Sequence, residues 1–330
     1  MWGTLWCFLT EVTERNYQMS AYDLPVLQNQ NIGEQDRARF ERDGFLVVEN
    51  FLSPERVDAL RGRFEPLFAG RFDTGIYPDE WYWREGMSLP DVTRHMANAW
   101  KADLTIASLA LSEDVGRAGA FLAGWDGARL GQDTIWWKPP GTKAVAYHQD
   151  SSFMDFLTPA RTVTCWVALD DTQRDAGTLE YVPGSHRWPL TPIPEGFHAP
   201  EDYRAAMRHA ASEAGIAPPD PVAIEVPAGS CVFHAGEVWH GSGPNRSGSV
   251  GGSGRMRRAI GVHLLHHEAR FSEQPGGYIY RRYQRTGDPT MDESFFPVVW
   301  SRENARTGWI DRYCETGVRT ADQFAAAANA

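Results

Sequence analysis

Helices come first in this chain and short β-rich runs follow. This order predicts a mainly β fold with flanking helices: a double-stranded β-helix, or jelly roll of the cupin-like type. Three observations carry the prediction. An amphipathic helical stripe lies near the start. Seven strand-like runs follow from Thr134 onward. Gly, Pro and Asp clusters separate those runs.

The elements follow in order. A helix is expected from Glu34 to Arg42, stopped by Gly44, with a strand over Phe45–Val48. Ser53 reads as an N-cap with Pro54 at the first helical position. Val57, Leu60, Phe64, Leu67 and Phe68 then form one stripe at helical spacing, closed by Gly70. The aromatic stretch that follows, to about Ala97, reads as a long loop. Strands are expected at Thr134–Trp137, Ala144–Tyr147, Thr162–Leu169, Thr178–Val182, Ala223–Val226, Ser230–Phe233 and Ala259–Leu265. A helix over Pro200–Ala214 interrupts them. Residues 34–330 are expected to form one domain and residues 1–33 an N-terminal extension, disordered in part. The Gly/Ser run Ser247–Gly254 reads as a loop inside the domain.

Composition narrows the function. The chain has 330 residues, of which 42% are hydrophobic and 23% charged, as in ordinary globular proteins. A net charge of −11 opposes binding to a phosphate backbone, so nucleic acid is not an expected partner. No apolar run is long enough to span a bilayer. Met1–Leu9 lacks the basic flank of a signal peptide. The four cysteines, Cys7, Cys165, Cys231 and Cys314, form no C-x-x-C pair. A reducing cytoplasm is therefore the expected location.

The sharpest local feature is Tyr147-His148-Gln149-Asp150, directly after an expected strand. On extended backbone, residues i and i+2 project to the same side, so His148 and Asp150 can reach one metal ion while Gln149 points away. An imidazole and a carboxylate make two-thirds of a facial triad that leaves metal positions open. Of the ten histidines, His240 in Trp239-His240-Gly241-Ser242-Gly243 is the best third ligand. His234 is its rival, read instead as a strand-end residue. His186 reads as a turn group, and His263, His266 and His267 as packing or supporting residues. An anionic cosubstrate would need a fixed cation, for which the planar fork of arginine is suited. Arg257 and Arg258 face opposite ways on the last expected strand. Arg257 is favoured because Ala259 and Gly261 follow on its face, whereas Ile260, Val262 and Leu264 on the other face look like packing side chains. The same ligands would suit zinc in a non-redox cupin, an isomerase or hydrolase.

Taken together, these residues resemble the phytanoyl-CoA dioxygenase family of Fe(II)/2-oxoglutarate oxygenases. The match runs in order through Phe40–Phe51, Trp137-Lys138-Pro139-Pro140-Gly141, His148-Gln149-Asp150-Ser151-Ser152, Pro183-Gly184-Ser185-His186, His240–Asn245 and Arg257-Arg258-Ala259-Ile260. The resemblance implies that His148, Asp150 and His240 bind iron and that Arg257 holds the distal carboxylate of 2-oxoglutarate. Ser242, Trp166 and Thr178 would line the cosubstrate pocket. It further implies that 2-oxoglutarate and O2 are consumed, with succinate and CO2 released, while a C–H bond of a small molecule is oxidised. Hydroxylation is the default, with desaturation and ring closure on the same ligands. Halogenation is disfavoured because Asp150 is present. The intact ligand set argues against a silent binding module. The spacing departs from the family at one point: Arg257 lies 17 residues beyond His240, and the Gly/Ser loop accounts for the excess. The aromatic segments Tyr77–Trp83 and Tyr278–Trp300 suggest a partly apolar pocket for a mid-sized biosynthetic metabolite. Oligomeric state leaves no mark on the sequence.

Overall fold

A computed structural model describes residues 32–248, 254–273 and 277–317. The expected extension lies outside them as far as residue 31, as does most of the Gly/Ser loop.

Helix α1 (Glu34–Asp43) ends at Gly44, whose φ of 84° is the left-handed conformation that stops a helix. Strand β1 (Phe45–Val48) follows as expected. Ser53 caps α2 (Pro54–Arg61) by accepting from the Arg56 amide, and α3 (Phe64–Phe68) continues the stripe after a break at Gly62. The one long helix of the expectation is thus two. The expected long loop also carries structure, since β2 (Glu80–Trp81) pairs with β3 (Arg94–Ala97). Two further helices, α4 (Leu104–Ala110) and α5 (Glu113–Ala123), are capped by Asp103 and Ser112.

The strands then come in quick succession. They are β4 (Gly127–Lys138), β5 (Val145–His148), β6 (Leu157–Thr158), β7 (Thr162–Ala168) and β8 (Leu179–Tyr181). After α6 (Ala205–Glu213) come β9 (Val222–Ala223), β10 (Cys231–Ala235), β11 (His240–Ser242), β12 (Arg257–His266) and β13 (Arg270–Phe271). Strand β14 (Val298–Ser301) and α7 (Ile310–Thr316) close the described chain. All seven expected strands are present. The first is much longer than expected, running from Gly127, and the fifth shrinks to β9.

The strands pair antiparallel into two main sheets. The larger has the order β1-β10-β7-β12-β4-β3-β2, with β14 also on β4; the smaller has the order β5-β11-β8-β9. This is the double-stranded β-helix the sequence predicted. Apart from α6, which packs on β5 of the smaller sheet, the helices cover one face of the larger sheet, as expected, where Ile260, Val262 and Leu264 of β12 enter the main apolar core. Helix α5 comes very close to that face. A Cβ at Gly119 would lie 2.3 Å from Leu264 Cδ1, so a larger residue here would require Leu264 to shift. Among the described residues, no helix is long and apolar enough to cross a membrane.

The opposite face of the larger sheet looks toward the smaller sheet, and there the side-chain alternation of β12 decides the chemistry. Arg257, Ala259, Gly261 and His263 point inward. Across the strands, Arg257 pairs with Lys138, Gly261 with Thr134 and Trp166, and His263 with Thr164, which in turn pairs with His234. A polar row therefore crosses the middle of an otherwise apolar sheet.

Candidate active site

His148 ends β5 and lies directly opposite His240 on β11 in the smaller sheet. Gln149 is extended, and Asp150 opens a single helical turn, so Asp150 comes back to the His148 side. Gln149 points away, donating to the Glu237 carbonyl (2.8 Å) and accepting from the Thr191 amide (3.0 Å). The ligand atoms of His148, Asp150 and His240 all lie within 4.8 Å of one another, and all three residues are buried.

Hydrogen bonds orient the trio. His148 Nδ1 donates to the Ala146 carbonyl (2.8 Å) and His240 Nδ1 to the Val238 carbonyl (3.0 Å). Each ring therefore keeps its proton on Nδ1 and presents a bare Nε2, the tautomer a metal needs. These Nε2 atoms face Asp150 Oδ1 at 3.3 and 3.6 Å. The other carboxylate oxygen is engaged by the polar row. Oδ2 accepts from Thr164 Oγ1 (2.7 Å) and His234 Nε2 (3.0 Å). Tyr181 donates to the far nitrogen of His234 (2.9 Å). His263 Nδ1 donates to Thr164 (2.9 Å), and its Nε2 lies 3.3 Å from the Thr134 hydroxyl. One oxygen is anchored and the other faces the two bare nitrogens.

The electrostatics agree. Burial acts to raise the Asp150 pKa, but the histidines around it outweigh burial and hold it well below the usual carboxylate range. Burial and the neighbouring His148 keep His240 well below its usual value. A buried carboxylate beside two imidazoles is the donor set of the facial triad, and these residues fit a divalent iron.

His234 corrects the sequence reading. It is no inert strand end but a direct partner of the Asp150 carboxylate. His263 supports the site through Thr164, in keeping with the expected supporting role. His186 sits in its expected turn, hydrogen-bonded to the Glu41 carbonyl. Replacing His234 with phenylalanine is expected to lower Fe(II) affinity by about 10–100-fold, as loss of such supporting bonds does. Calorimetric metal titration, with circular dichroism to verify the fold, checks this.

A narrow inner chamber runs from the trio to Arg257. Ser242 and Trp166 line it. Thr178 does not. Its hydroxyl donates to the Ile224 carbonyl (2.5 Å), and its neighbour Leu179 faces the chamber instead, because alternate residues of a strand face opposite ways. Arg257 is 2% exposed and donates to the Gly177 carbonyl (3.1 Å) and Ser242 Oγ (3.2 Å). Burial lowers its pKa to about 10. Arg258 faces the other way and is neutralised by Asp170 through two bonds of 2.9 and 2.7 Å. Sequence reasoning passed over Lys138 as a site residue, although it lies within the quoted Trp137–Gly141 motif. It is fully buried beside Arg257 and donates to Ser242 Oγ (2.8 Å) and the Gly243 carbonyl. Burial and Arg257 push its pKa well down. Among the described residues, no carboxylate pairs with Arg257 or Lys138.

A larger outer chamber meets the inner one at Thr134, Trp136, His148, Asp150 and His263. Glu80 and Tyr82 from the first aromatic segment and Ile279 and Tyr280 from the second line it. Tyr77 packs against Phe72 instead, and Phe296 belongs to the same apolar cluster as Ile279 and Tyr280.

Comparisons with known proteins agree with this architecture. The sequence profile of the phytanoyl-CoA dioxygenase family matches residues 40–252, well over half of the chain. The ectoine dioxygenase of Nocardia farcinica is 29% identical over 222 residues, covering 62% of this chain and 70% of that protein. The peroxisomal phytanoyl-CoA dioxygenase of Rattus norvegicus is 24% identical over 256 residues, covering 72% and 70%. Among solved structures, a non-haem alpha-ketoglutarate-dependent carbocyclase from nogalamycin biosynthesis superposes with a TM-score of 0.62 at 25% identity, covering 82% of this chain and 97% of that one.

Proposed function

This chain belongs to the phytanoyl-CoA dioxygenase family, and from that premise we propose that His148, Asp150 and His240 hold Fe(II) while Arg257, with Lys138 and Ser242, holds the distal carboxylate of 2-oxoglutarate. The enzyme is a 2-oxoglutarate-dependent dioxygenase. The chemistry that bound iron supplies is the oxidative decarboxylation of 2-oxoglutarate by O2, coupled to oxidation of a substrate C–H bond.

The observation that carries the cosubstrate assignment is the pair of buried basic side chains at the end of the inner chamber. Burial without a counter-charge disfavours their charged forms, and an incoming carboxylate offers the charge that favours them. Arg257 lies beyond the span matched by the family profile, so its role rests on this geometry. Trp166 beneath the guanidinium, 5.8 Å from its ring centre, keeps water from that end of the chamber. Gly261 lets Thr134 approach the strand closely, since a Cβ there would come within 2.8 Å of Thr134 Oγ1. The polar row holds Asp150 in its carboxylate form and fixes its orientation.

The outer chamber takes the substrate, a small and partly apolar metabolite, against the exposed side of the trio. Hydroxylation is the reaction we assign. Protein purified without oxygen, then given Fe(II), 2-oxoglutarate and air, is expected to release succinate slowly even without substrate. Zn(II) in place of Fe(II) is expected to support no release. Protein that neither releases succinate nor binds 2-oxoglutarate would belong to the non-redox cupins instead.

A further inference from the structure

We infer that the outer chamber takes an uncharged, flat ring system bearing hydroxyl or carbonyl groups, and that His95 and His198 are the residues that recognise those oxygens. This rests on the dioxygenase reading above, which places the reacting C–H bond against the trio.

Shape comes first. Two parallel-stacked pairs form much of the wall: His95 on Trp136, with ring centres 4.1 Å apart, and Tyr82 on His198, at 4.0 Å. Phe153 and Phe197 stand edge-on to His148 at 5.8 and 4.8 Å, where the chamber meets the trio. Flat aromatic faces and edges of this kind favour a flat ring, which can stack offset or edge-on against them.

Polarity comes second. His95 is 8% exposed and lines the chamber, yet neither of its ring nitrogens has a hydrogen-bond partner. Glu80 is 4.0 Å away, too far for a hydrogen bond. His198 Nδ1 is likewise without a partner. Orphaned buried nitrogens are costly and therefore rare, and a ligand group would satisfy them. Burial, with His198 and His263 nearby, pushes His95 down to about 3; burial and His148 push His198 down to about 4. Both rings are neutral at physiological pH. Each then offers one donor and one acceptor, the complement of a hydroxyl or carbonyl.

Charge comes third. Glu80 and Asp155 line the chamber, and no lysine or arginine does so among the described residues. An anionic group would meet two carboxylates and no counter-cation.

The test is calorimetric titration, under argon, of the full chain loaded with Fe(II) and 2-oxoglutarate. The probes are a dihydroxynaphthalene, unsubstituted naphthalene, the matching hydroxynaphthalenesulfonate and octanoyl-coenzyme A. The diol is expected to bind most tightly. His95→Phe and His198→Phe keep a flat ring but remove the nitrogens, and each is expected to weaken the diol about tenfold while leaving naphthalene unchanged. His198 is less buried than His95, so its variant serves if His95→Phe does not fold. Tighter binding of the sulfonate or the thioester overturns the inference, as does unchanged diol binding in a folded variant. A diol that fails to bind protein still able to bind 2-oxoglutarate overturns the substrate assignment alone. Failure of both ligands overturns the dioxygenase reading with it.

Discussion

Asp150→Ala is expected to abolish Fe(II)-dependent succinate release, by about a thousandfold or more, equivalent to about 4 kcal/mol. Two effects act together. The substitution removes the oxygen that faces His148 and His240, and it removes the charge that makes the site attractive to a divalent cation. It also strands His234 and Thr164, which both donate to the lost carboxylate. Metal titration separates the causes: loss of Fe(II) binding with a retained fold assigns the effect to the metal site. Full activity in Asp150→Ala would remove Asp150 from the ligand set. Asp150→Glu, which keeps the charge but moves it by one methylene, is expected to retain weak metal binding and little turnover.

Arg257→Met comes second in size. It keeps much of the buried volume and removes the fork, so the KM for 2-oxoglutarate is expected to rise about a hundredfold. Charge-assisted bonds contribute about 1.5–3 kcal/mol each, and Lys138 remains to hold part of the carboxylate. Fe(II) affinity is expected to change little. Arg258→Met is the matched control. It strands Asp170, which also lies 3.4 Å from Arg61, and is expected to cost stability while leaving the KM unchanged. The reverse pattern would assign the cosubstrate to Arg258.

The two arginines show how far pattern reading carries. They are adjacent, so they must face opposite ways on a strand, and the small residues Ala259 and Gly261 mark the face with room for a ligand. The structure adds Asp170, an acid 88 residues away along the chain that neutralises Arg258. The longer spacing before Arg257 is absorbed locally. Asn245 donates to both the Lys138 and Arg255 carbonyls, tying off the base of the loop without moving β12.

Other features left weaker marks or none. Helix α5 packs through Gly116, Ala120 and Gly119, small residues that allow close approach to the sheet. Strand β2 sits among aromatics whose pattern is shared with loops, and its pairing with β3 is a tertiary event. Lys138 reads on its own as a strand-end lysine. Only its pairing with Arg257 across β4 and β12 reveals a second buried basic group.

The sequence by itself determined the order of helices and strands, the fold class and the His148–Asp150 pair. Each of these follows from local alternation, capping or residue spacing. Tertiary structure alone decided that His234 and His263 serve Asp150, that Thr178 faces away from the inner chamber, and that His95 and His198 flank the outer one. Those outcomes depend on the register between strands far apart in the chain. A shift of one residue in that register would turn every such side chain to the opposite face.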